Sequence, residues 1–457
     1  MVAAVIPSSF GVVTGSFART LPSLRAAVAG LDEDSLSGRR WFAGKLRRVL
    51  AVELADAAPI PGGGALVVAE VSYRDGGAER YLLPARLGGD GVLRDPEPAD
   101  TLWAALARAV AAGAELGGLE GSFAARSPGE RAVGGGGRRL TADQSNTSIV
   151  LGEQHVLKCY RRLEAGVNPE PDTLEALVPT GTRVAPRWRG TLVHTLGGEE
   201  TSLAVLYDFV PGEPVGWEPL IEGVRASLTG EADGEAWLSV ASELGTTAAE
   251  LHGALGAAFG TSLATAGEAG TAVTAGLVLL QEALAVMPED RTDELESVAL
   301  ERLHALERLN GATVGRVHGD LHVAQFVRSA DGLVVVDFEG EPDRSLAERR
   351  LPRSPLRDVA CLLLSLDHAA VAAARRCGFG ETTGRALGWS AAARERTLDA
   401  YRTGVAATGN AVDTELLAAL EVEKECRELL YAARVLPEWS YAPRLTLPRL
   451  LRSGPAA

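Results

Sequence analysis

The sequence predicts an α+β protein with a small strand-rich lobe followed by a large helical lobe. From about residue 138 onward, β-like runs such as SNTSIVLG, QHVLKCY and TSLAVLYDFV are separated by turn residues. After VPGEPVGWEP, apolar residues recur at i, i+3, i+4 and i+7, which is the period of amphipathic helices. Because ligands often bind in a cleft between two such lobes, we expect the functional site there.

Four segments are predicted along the 457 residues, which are too many for one compact core. Residues 1–95 contain short β runs between Gly-rich turns and are predicted to form an N-terminal β-rich cap domain. An Ala-rich helical segment and linker is predicted at 96–135, and the GGGG run at its end lacks the GK[ST] of a phosphate-binding loop. The strand-rich lobe is predicted at 136–212 and the helical lobe at 213–457.

The composition argues against several kinds of partner. A formal net charge of -15, without a basic stripe and interleaved aromatic residues, predicts that nucleic acid is not bound. The most apolar stretch, TAGLVLLQEALAVM, is interrupted by Gln281 and Glu282, so no membrane span is predicted. The first residues, MVAAVIPSSFGVV, lack the positive charge of a signal peptide, and the four scattered cysteines suggest reduced thiols. We expect a cytoplasmic protein that is a monomer or a weak homodimer.

The segment VHGDLHVAQFVRSADGLVVVDFEG carries the polar residues with the clearest chemistry. Two β runs flank an Asp-Gly turn, which predicts a hairpin that brings Gln325 to within about one residue of Asp337 across the strands. Side chains at such positions lie roughly 5 Å apart at Cβ. A carboxylate and an amide oxygen at that separation suit Mg²⁺ bound with a phosphate, and Asp320 on the entering loop remains available as a base.

The spacing of these residues matches that of protein kinases, which use a catalytic Asp, a metal-binding Asn five residues later, and an Asp-Phe-Gly whose Asp holds metal. Asp320, Gln325 and Asp337 occupy the three positions, with Gln in place of Asn and Glu in place of Gly. Asp320 is therefore predicted to accept the proton of the attacking hydroxyl. Gln325 and Asp337 are predicted to hold the metal.

The kinase pattern also predicts an ATP site in the strand-rich lobe. It requires a strand lysine that reaches the phosphates, which Lys158 supplies, with Asp172 or Glu175 on the next helix as its acidic partner. The polar turn DQSNT before the strand SIVLG is the candidate phosphate cover. Its candidate ATP-binding residues are Ser145, Asn146 and Thr147.

The two histidines of the same segment, His318 and His322, have three candidate roles. They could hold the loop backbone, act directly in catalysis, or ligate a metal ion. Because no Glu follows the first His, as it does in HExxH, a zinc site is not favoured, and a structural role is predicted for His318.

The C-terminal two-thirds of the chain resembles the aminoglycoside-phosphotransferase-like kinases. Within them, nearly the whole chain is similar to the actinobacterial maltokinases and their close relatives. The matching text is RRWFAGK, QSNTSIV, HGDLHVAQ, DFEGEPDRSLAERR and SPLRDVACLLLSLDHAA. The resemblance implies a bilobal protein-kinase-like fold with an N-terminal cap, ATP and Mg²⁺ as cofactors, and a free sugar as acceptor. It also implies that Asp208 and Val210 belong to the hinge that meets adenine, and that Asp358 braces the catalytic loop.

The resemblance to maltokinases weakens in EVEKECRELLYAARVLPEWSYAP, where Arg427 and Ala432 replace a tyrosine and a glutamate. The same text is similar to a glucosamine kinase branch. Glu421, Glu425 and Glu428 share one helix face, and we expect them to bind the ammonium of an amino sugar.

The three glutamates and Trp439 each have an alternative interpretation. The three glutamates could form a solvated face answered by neighbouring cations. Trp439 could stack on the sugar ring or belong to the core.

The resemblance predicts the reaction ATP + glucosamine → glucosamine 6-phosphate + ADP. Three alternatives stay open at this stage. They are phosphorylation of maltose to maltose 1-phosphate, phosphorylation of an aminoglycoside antibiotic, and a non-catalytic sugar-sensing pseudokinase. The pseudokinase alternative arises from the Gln-for-Asn and Glu-for-Gly replacements.

Overall fold

The computed structural model describes residues 15–129, 133–140, 145–287, 292–407, 409 and 411–452. The N-terminal stretch considered above as a signal peptide lies outside these ranges. The chain divides into two compact units, one of Met1–Glu175 and Pro186–Val210 and one of Ala176–Ala185 and Pro211–Ala457. The predicted α+β class is confirmed, since the first unit is built mainly on strands and the second mainly on helices.

The first unit contains two antiparallel sheets. Its strands are β1 (Val49–Pro59), β2 (Ala65–Tyr73), β3 (Ala78–Leu87), β4 (Leu93–Arg94), β5 (Glu115–Gly117), β6 (Ser122–Arg126), β7 (Gly137–Arg139), β8 (Thr147–Leu151), β9 (His155–Cys159), β10 (Arg162–Leu163), β11 (Trp188–Leu196) and β12 (Glu199–Asp208). Its helices are α1 (Gly15–Ala29), α2 (Glu33–Ser37), α3 (Thr101–Ala111) and α4 (Pro169–Leu177). One sheet has the order β1-β2-β3-β10, with β4 beside β3, and the other has the order β5-β6-β11-β12-β9-β8-β7.

The RRWFAGK motif belongs to the core of the β1-β2-β3-β10 sheet. Trp41 and Phe42 are buried, and their ring centroids lie 5.8 and 5.2 Å from that of Tyr81 on β3. The helix α3 packs on the seven-stranded sheet through a second core, in which Trp103 is fully buried. Both clusters remove large apolar surface from water, which is the main stabilising contribution to such folds.

The sheet that contains the cap strands includes a strand from much later in the chain. Arg162 and Leu163 of β10 pair with Tyr81 and Arg80 of β3. Next to them, the fully buried Arg161 donates from Nε to the hydroxyl of Thr147 at 2.8 Å, and its Nη1 donates to the carbonyl oxygen of Leu82. The sheet therefore joins residues that the sequence assigned to two different segments.

The helical segment predicted at 96–135 is shorter than expected, because α3 ends at Ala111. Two strands, β5 and β6, follow it, and β7 begins at Gly137, the last residue of the GGGG run. β6 pairs with β11 over its whole length. These short strands are stabilised by pairing with distant strands, and their Ala- and Gly-rich residues carry little intrinsic β preference.

A buried carboxylate on β1 organises the turn between β5 and β6. Asp56 is fully buried and accepts hydrogen bonds from the backbone N–H groups of Leu119 (2.8 Å), Glu120 (3.1 Å) and Gly121 (2.8 Å). His194 Nε2 lies 2.8 Å from Asp56 Oδ2, the oxygen that also accepts from Gly121. Burial alone would raise the pKa of Asp56, but the His194 contact and the N–H donors hold it below its usual value.

The second unit consists mainly of helices and contains two small sheets. Its helices are α5 (Trp217–Thr229), α6 (Glu235–Phe259), α7 (Ala266–Ala285), α8 (Asp293–His304), α9 (Leu346–Arg349), α10 (Leu356–Arg376), α11 (Glu381–Ala406), α12 (Thr414–Val435) and α13 (Tyr441–Arg452). Its strands are β13 (Glu213–Pro214), β14 (Thr261–Leu263), β15 (Thr313–Gly315), β16 (Phe326–Ser329) and β17 (Gly332–Val335). The two sheets have the orders β13-β16-β17 and β14-β15. Helix α10 is almost entirely buried. Across the described residues, no helix is long and apolar enough to cross a membrane.

The predicted hairpin is present as β16 and β17, whose register pairs Phe326 with Val335. Beyond the strands, the N–H of Val336 donates to the carbonyl oxygen of Gln325 at 2.9 Å. Gln325 therefore lies one residue from the position opposite Asp337, as the sequence predicts.

Candidate active site

The loop that carries Asp320 is held in place by a buried carboxylate. Asp358, in the first turn of α10, accepts hydrogen bonds from the backbone N–H groups of His318 (2.7 Å) and Gly319 (2.9 Å). His252 Nε2 of α6 lies 3.0 Å from the same carboxylate. Burial alone would raise the pKa of Asp358, but His252 and the N–H of Gly319 hold it below its usual value. These are the contacts that the predicted bracing role requires.

The ring of His318 ties the loop to the end of the hairpin. Its Nε2 lies 3.1 Å from the carbonyl oxygen of Val336 and donates to it, while its Nδ1 accepts from the N–H of Asp320 at 3.3 Å. The ring also packs on Phe338, with centroids 4.9 Å apart. The two nitrogens are thus both used by the backbone, which fits the predicted structural role and leaves no position for a metal ion.

Asp320 lies beside a lysine that sequence reasoning treated only as a surface cation. Lys424 Nζ on α12 contacts three carboxylates, at 3.4 Å from Asp320, 3.3 Å from Glu341 and 3.1 Å from Glu428. Burial alone would lower the pKa of Lys424, but the surrounding carboxylates hold it well above its usual value. Lys424 therefore carries a permanent positive charge next to the candidate base.

Asp337 follows the hairpin in a strained conformation. Its φ is +66°, in the left-handed region that non-glycine residues rarely adopt. Such strain often occurs at functional sites, because the surrounding structure must fix it. Gln325 and Asp337 are both partly buried and supply oxygen donors of the kind that Mg²⁺ prefers.

A cavity of about 420 Å³ opens beside Asp320 within the second unit. Its lining combines carboxylates, cationic side chains and aromatic rings. Such a lining suits a ligand that has a ring face and several polar groups. The lining residues are Trp217, Asp320, His322, Glu341, Pro342, Asp343, His368, Lys424, Arg427, Glu428, Tyr431, Ala432, Leu436, Trp439, Ala442 and Pro443.

Aromatic side chains form one wall of this cavity. The ring of Trp439 stacks on Tyr441, with centroids 5.9 Å apart, and lies 6.2 Å from the ring of Trp217. Trp217 in turn lies 5.6 Å from His322. Trp439 therefore lies in the cavity wall, where the predicted stacking on a sugar ring requires it. Trp217 was not predicted, because it is distant in sequence from the segment of Asp320 and the preceding glycine gives no signal of a binding site.

Only one of the three predicted helix carboxylates lines the cavity. Glu428 does, but Glu421 is buried against Arg394, with Oε1 and Nη2 2.5 Å apart. Glu425 is fully buried and lies 3.0 Å from His368 Nε2. The expectation that all three would contact a ligand is therefore wrong for Glu421 and Glu425, whose partners are protein side chains.

His368 couples the cavity wall to the buried Glu425. Burial alone would lower the pKa of His368, but Glu425 raises it to about 9. Because this pKa lies above the unfolded value of 6.5, the stabilisation is complete below pH 6.5 and is lost as the pH rises toward 9.

We therefore expect the free energy of unfolding of the wild type, relative to His368→Gln, to fall by about 3 kcal/mol between pH 6 and pH 9.5. Urea unfolding of both proteins at several pH values measures this difference. His304→Gln, at an exposed histidine, should show no such dependence. A pH-independent difference for His368→Gln would mean that folding does not raise the pKa of His368.

The candidate ATP residues lie in the first unit. Lys158 on β9 is buried, and its Nζ lies 3.0 Å from Glu170, which also accepts from the hydroxyl of Tyr160 at 2.8 Å. The acidic partner on the next helix is therefore Glu170, and the predicted Asp172 and Glu175 were wrong for this contact. Glu170 was missed because it stands between two prolines at the start of α4.

The remaining candidate ATP residues differ in exposure. Ser145 is exposed, whereas Asn146 and Thr147 are buried, and the Thr147 hydroxyl accepts from Arg161. Asp208 at the end of β12 forms two hydrogen bonds with Arg189, of 2.6 and 2.8 Å. Val210 is partly buried. Asp143 and Gln144 of the same turn as Ser145 lie outside the described residues.

The fold and the site define a kinase of the protein-kinase-like class. The chain is 35% identical over 394 residues to a glucosamine kinase of Streptacidiphilus jiangxiensis, covering 83% of this chain and 87% of that protein. It is 32% identical over 327 residues to a glucosamine kinase of Mycolicibacterium smegmatis strain ATCC 700084 / mc(2)155, covering 70% of this chain and 80% of that protein. The chain belongs to the glucosamine kinase family.

Solved structures agree with this assignment. A glucosamine kinase in complex with glucosamine, ADP and inorganic phosphate has 29% identity and a TM-score of 0.72, covering 93% of this chain and 99% of that one. A second structure, a glucosamine kinase in crystal form B, gives a TM-score of 0.74 at 29% identity, covering 94% of this chain and 99% of that one. No protein-family model matches the chain.

Proposed function

We propose that this chain transfers the γ-phosphoryl group of ATP to the 6-hydroxyl of glucosamine, giving glucosamine 6-phosphate and ADP. The observation that carries the proposal is the cavity beside Asp320, which combines an aromatic wall with the carboxylate of Glu428. An amino sugar offers an apolar ring face and an ammonium group, and this wall can contact both. The proposal is also supported by relatives named glucosamine kinase.

Asp320 acts as the base in the proposed reaction. The sugar hydroxyl oxygen attacks the γ-phosphorus, the bond to the ADP oxygen breaks, and the hydroxyl proton passes to the Asp320 carboxylate. The bonds of Asp358 to the loop backbone fix the position of this carboxylate. Such positioning supplies much of the rate in phosphoryl transfer, because little covalent chemistry is left to the protein.

Gln325 and Asp337 would hold Mg²⁺, since their oxygen donors and their adjacency on the hairpin suit a hard cation. When bound, the ion neutralises charge on the β- and γ-phosphates.

In the first unit, the buried Lys158 would pair with phosphate oxygens while Glu170 fixes its position. Asp208 and Val210 would form the adenine hinge. Because ATP is the donor, we also propose a cytoplasmic location.

Ser145 and Asn146 remain the candidate phosphate cover in this proposal. The Thr147 hydroxyl is already used by Arg161, so Thr147 would contribute through its backbone or through the shape of the turn.

A substrate panel tests the proposed function. Purified protein, ATP and Mg²⁺ are incubated with glucosamine, maltose or kanamycin, and ADP release and the product are measured. We expect turnover with glucosamine and a phosphate at its 6-position. Turnover of maltose but not of glucosamine would reject the amino-sugar proposal.

Glu428 is expected to recognise the ammonium group. For Glu428→Gln, kcat/KM for glucosamine should fall about 10- to 100-fold, because a charge-assisted hydrogen bond contributes roughly 1.5–3 kcal/mol. The loss for glucose, which lacks the ammonium, should be much smaller. Steady-state kinetics with both sugars measures the two losses, and Glu438→Gln, an exposed carboxylate outside the cavity lining, is the matched control. Equal losses for both sugars would reject ammonium recognition by Glu428.

A further inference from the structure

A second, smaller cavity borders the loop that carries Asp320 and adjoins the sugar cavity. It has a volume of about 30 Å³ and shares Glu341, Lys424 and Arg427 with the sugar cavity. Its wall comes from the loop at Gly319, the segment after the hairpin, the start of α10, and α12. The proposed transfer of phosphate to the sugar does not use this space.

The charge of this small cavity is strongly positive. Six cations line it but only one carboxylate, Glu341. The cations are Arg344, Arg349, Arg353, Arg357, Lys424 and Arg427. Burial alone would raise the pKa of Glu341, but Lys424 and Arg344 hold it at about 2, so it is ionised.

A buried glutamate behind the cavity neutralises two more of these cations. Glu423 lies 2.8 Å from Arg357 and 3.2 Å from Arg427. Even so, the buried Nε of Arg427 has no hydrogen-bond partner within the described part of the chain. A buried donor without an acceptor is costly, so an anion bound in the cavity would stabilise these donors.

Arg353 has the least compensated charge. Its guanidinium makes one long contact, 3.4 Å to the carbonyl oxygen of Glu348, and no ion pair with any described residue. Burial, followed by repulsion from Arg344 and Arg357, lowers the pKa of Arg353 to about 10. An anion in the cavity would attract the three guanidinium groups and so offset the repulsion among them.

We propose that this cavity is a binding site for a tetrahedral phosphate-type oxyanion, either inorganic phosphate or the phosphate group of a small phosphate ester. Its volume is that of about two water molecules, which fits one tetrahedral anion. Guanidinium groups bind phosphate through paired parallel N–H bonds, so arginine is the residue expected in such a site. The neighbouring Lys424 would be shared between this anion and Asp320.

The test measures phosphate binding by calorimetry at constant ionic strength. The full chain is first saturated with glucosamine and a non-hydrolysable ATP analogue, so that phosphate does not enter the substrate sites. The proteins are the wild type, Arg353→Gln, Arg353→Lys, and Arg385→Gln as a control at an exposed arginine outside the cavity. Because Arg353 has no ion pair to lose among the described residues, Arg353→Gln should fold, which thermal unfolding verifies.

We expect Arg353→Gln to bind inorganic phosphate about tenfold more weakly than the wild type, since one charge-assisted hydrogen bond is lost. Arg353→Lys should lie between them, and Arg385→Gln should match the wild type. A parallel titration with glucosamine 6-phosphate distinguishes the two sources, because tighter, Arg353-dependent binding of the ester identifies an ester site. Absent binding, or equal binding of both ligands to the wild type and Arg353→Gln, would overturn the proposal. Turnover is not measured, so failure of the proposed reaction would be a separate result.

Discussion

Asp320→Asn is expected to lower kcat for glucosamine by about 100- to 10,000-fold, the usual contribution of a general base. The amide keeps the shape of the side chain but cannot accept the hydroxyl proton. The loop should remain in place, because His318 and Gly319 are held by Asp358 and not by Asp320. Glucosamine binding should change far less than kcat, since the aromatic wall is untouched.

Steady-state kinetics and glucosamine titration of the purified variant measure the two effects. Asp331→Asn, the same replacement at an exposed residue of the hairpin turn, is the matched control and should behave as the wild type. Undiminished kcat in Asp320→Asn would remove Asp320 as the base. A loss of kcat that is accompanied by an equal loss of folded protein would instead assign Asp320 a structural role.

Asp56→Ala is expected to lower the free energy of unfolding by about 3–5 kcal/mol, because it removes the acceptor of several buried hydrogen bonds at once. The replacement leaves the N–H groups of Leu119, Glu120 and Gly121 without their acceptor, and it leaves the buried His194 Nε2 without its hydrogen-bond partner. Each buried donor that loses its partner costs roughly 1–3 kcal/mol, so the effect should be among the largest for a single replacement.

Chemical denaturation of the purified proteins measures this loss. The matched control is Asp75→Ala, which removes the ion pair with Arg47 from a side chain that is 58% exposed. Exposed pairs contribute about 0–1 kcal/mol, so this variant should be close to the wild type. If the two variants lose equal stability, Asp56 does not organise the β5–β6 turn.

The catalytic segment could be predicted from the sequence because its geometry is local. The Asp-Gly turn fixes the register of the hairpin, and this register places Gln325 next to Asp337. The spacing from Asp320 to these residues is set by the same few turns. Similarly, β8 and β9 follow from their own residues and the Gly-Glu turn between them.

The environment of helix α12 could be predicted less well, because its orientation depends on distant segments. The carboxylates of Glu421, Glu425 and Glu428 share one side of an ideal helix. The first two are buried by Arg394 and His368, which belong to α11 and α10. Helical periodicity gives the faces of α12 but does not say which face the other helices cover.

The pairing of β3 with β10 affects how the chain can be divided. A strand formed by Arg162 and Leu163 completes the cap sheet, and Asp56 on β1 holds the turn at Gly121. The cap is therefore not a module that was appended to a self-sufficient kinase. Deleting residues 1–95 would remove four strands, β1 to β4, from the shared sheet and leave β10 without its partner β3. Transplanting or deleting the cap would therefore cut through one folding unit.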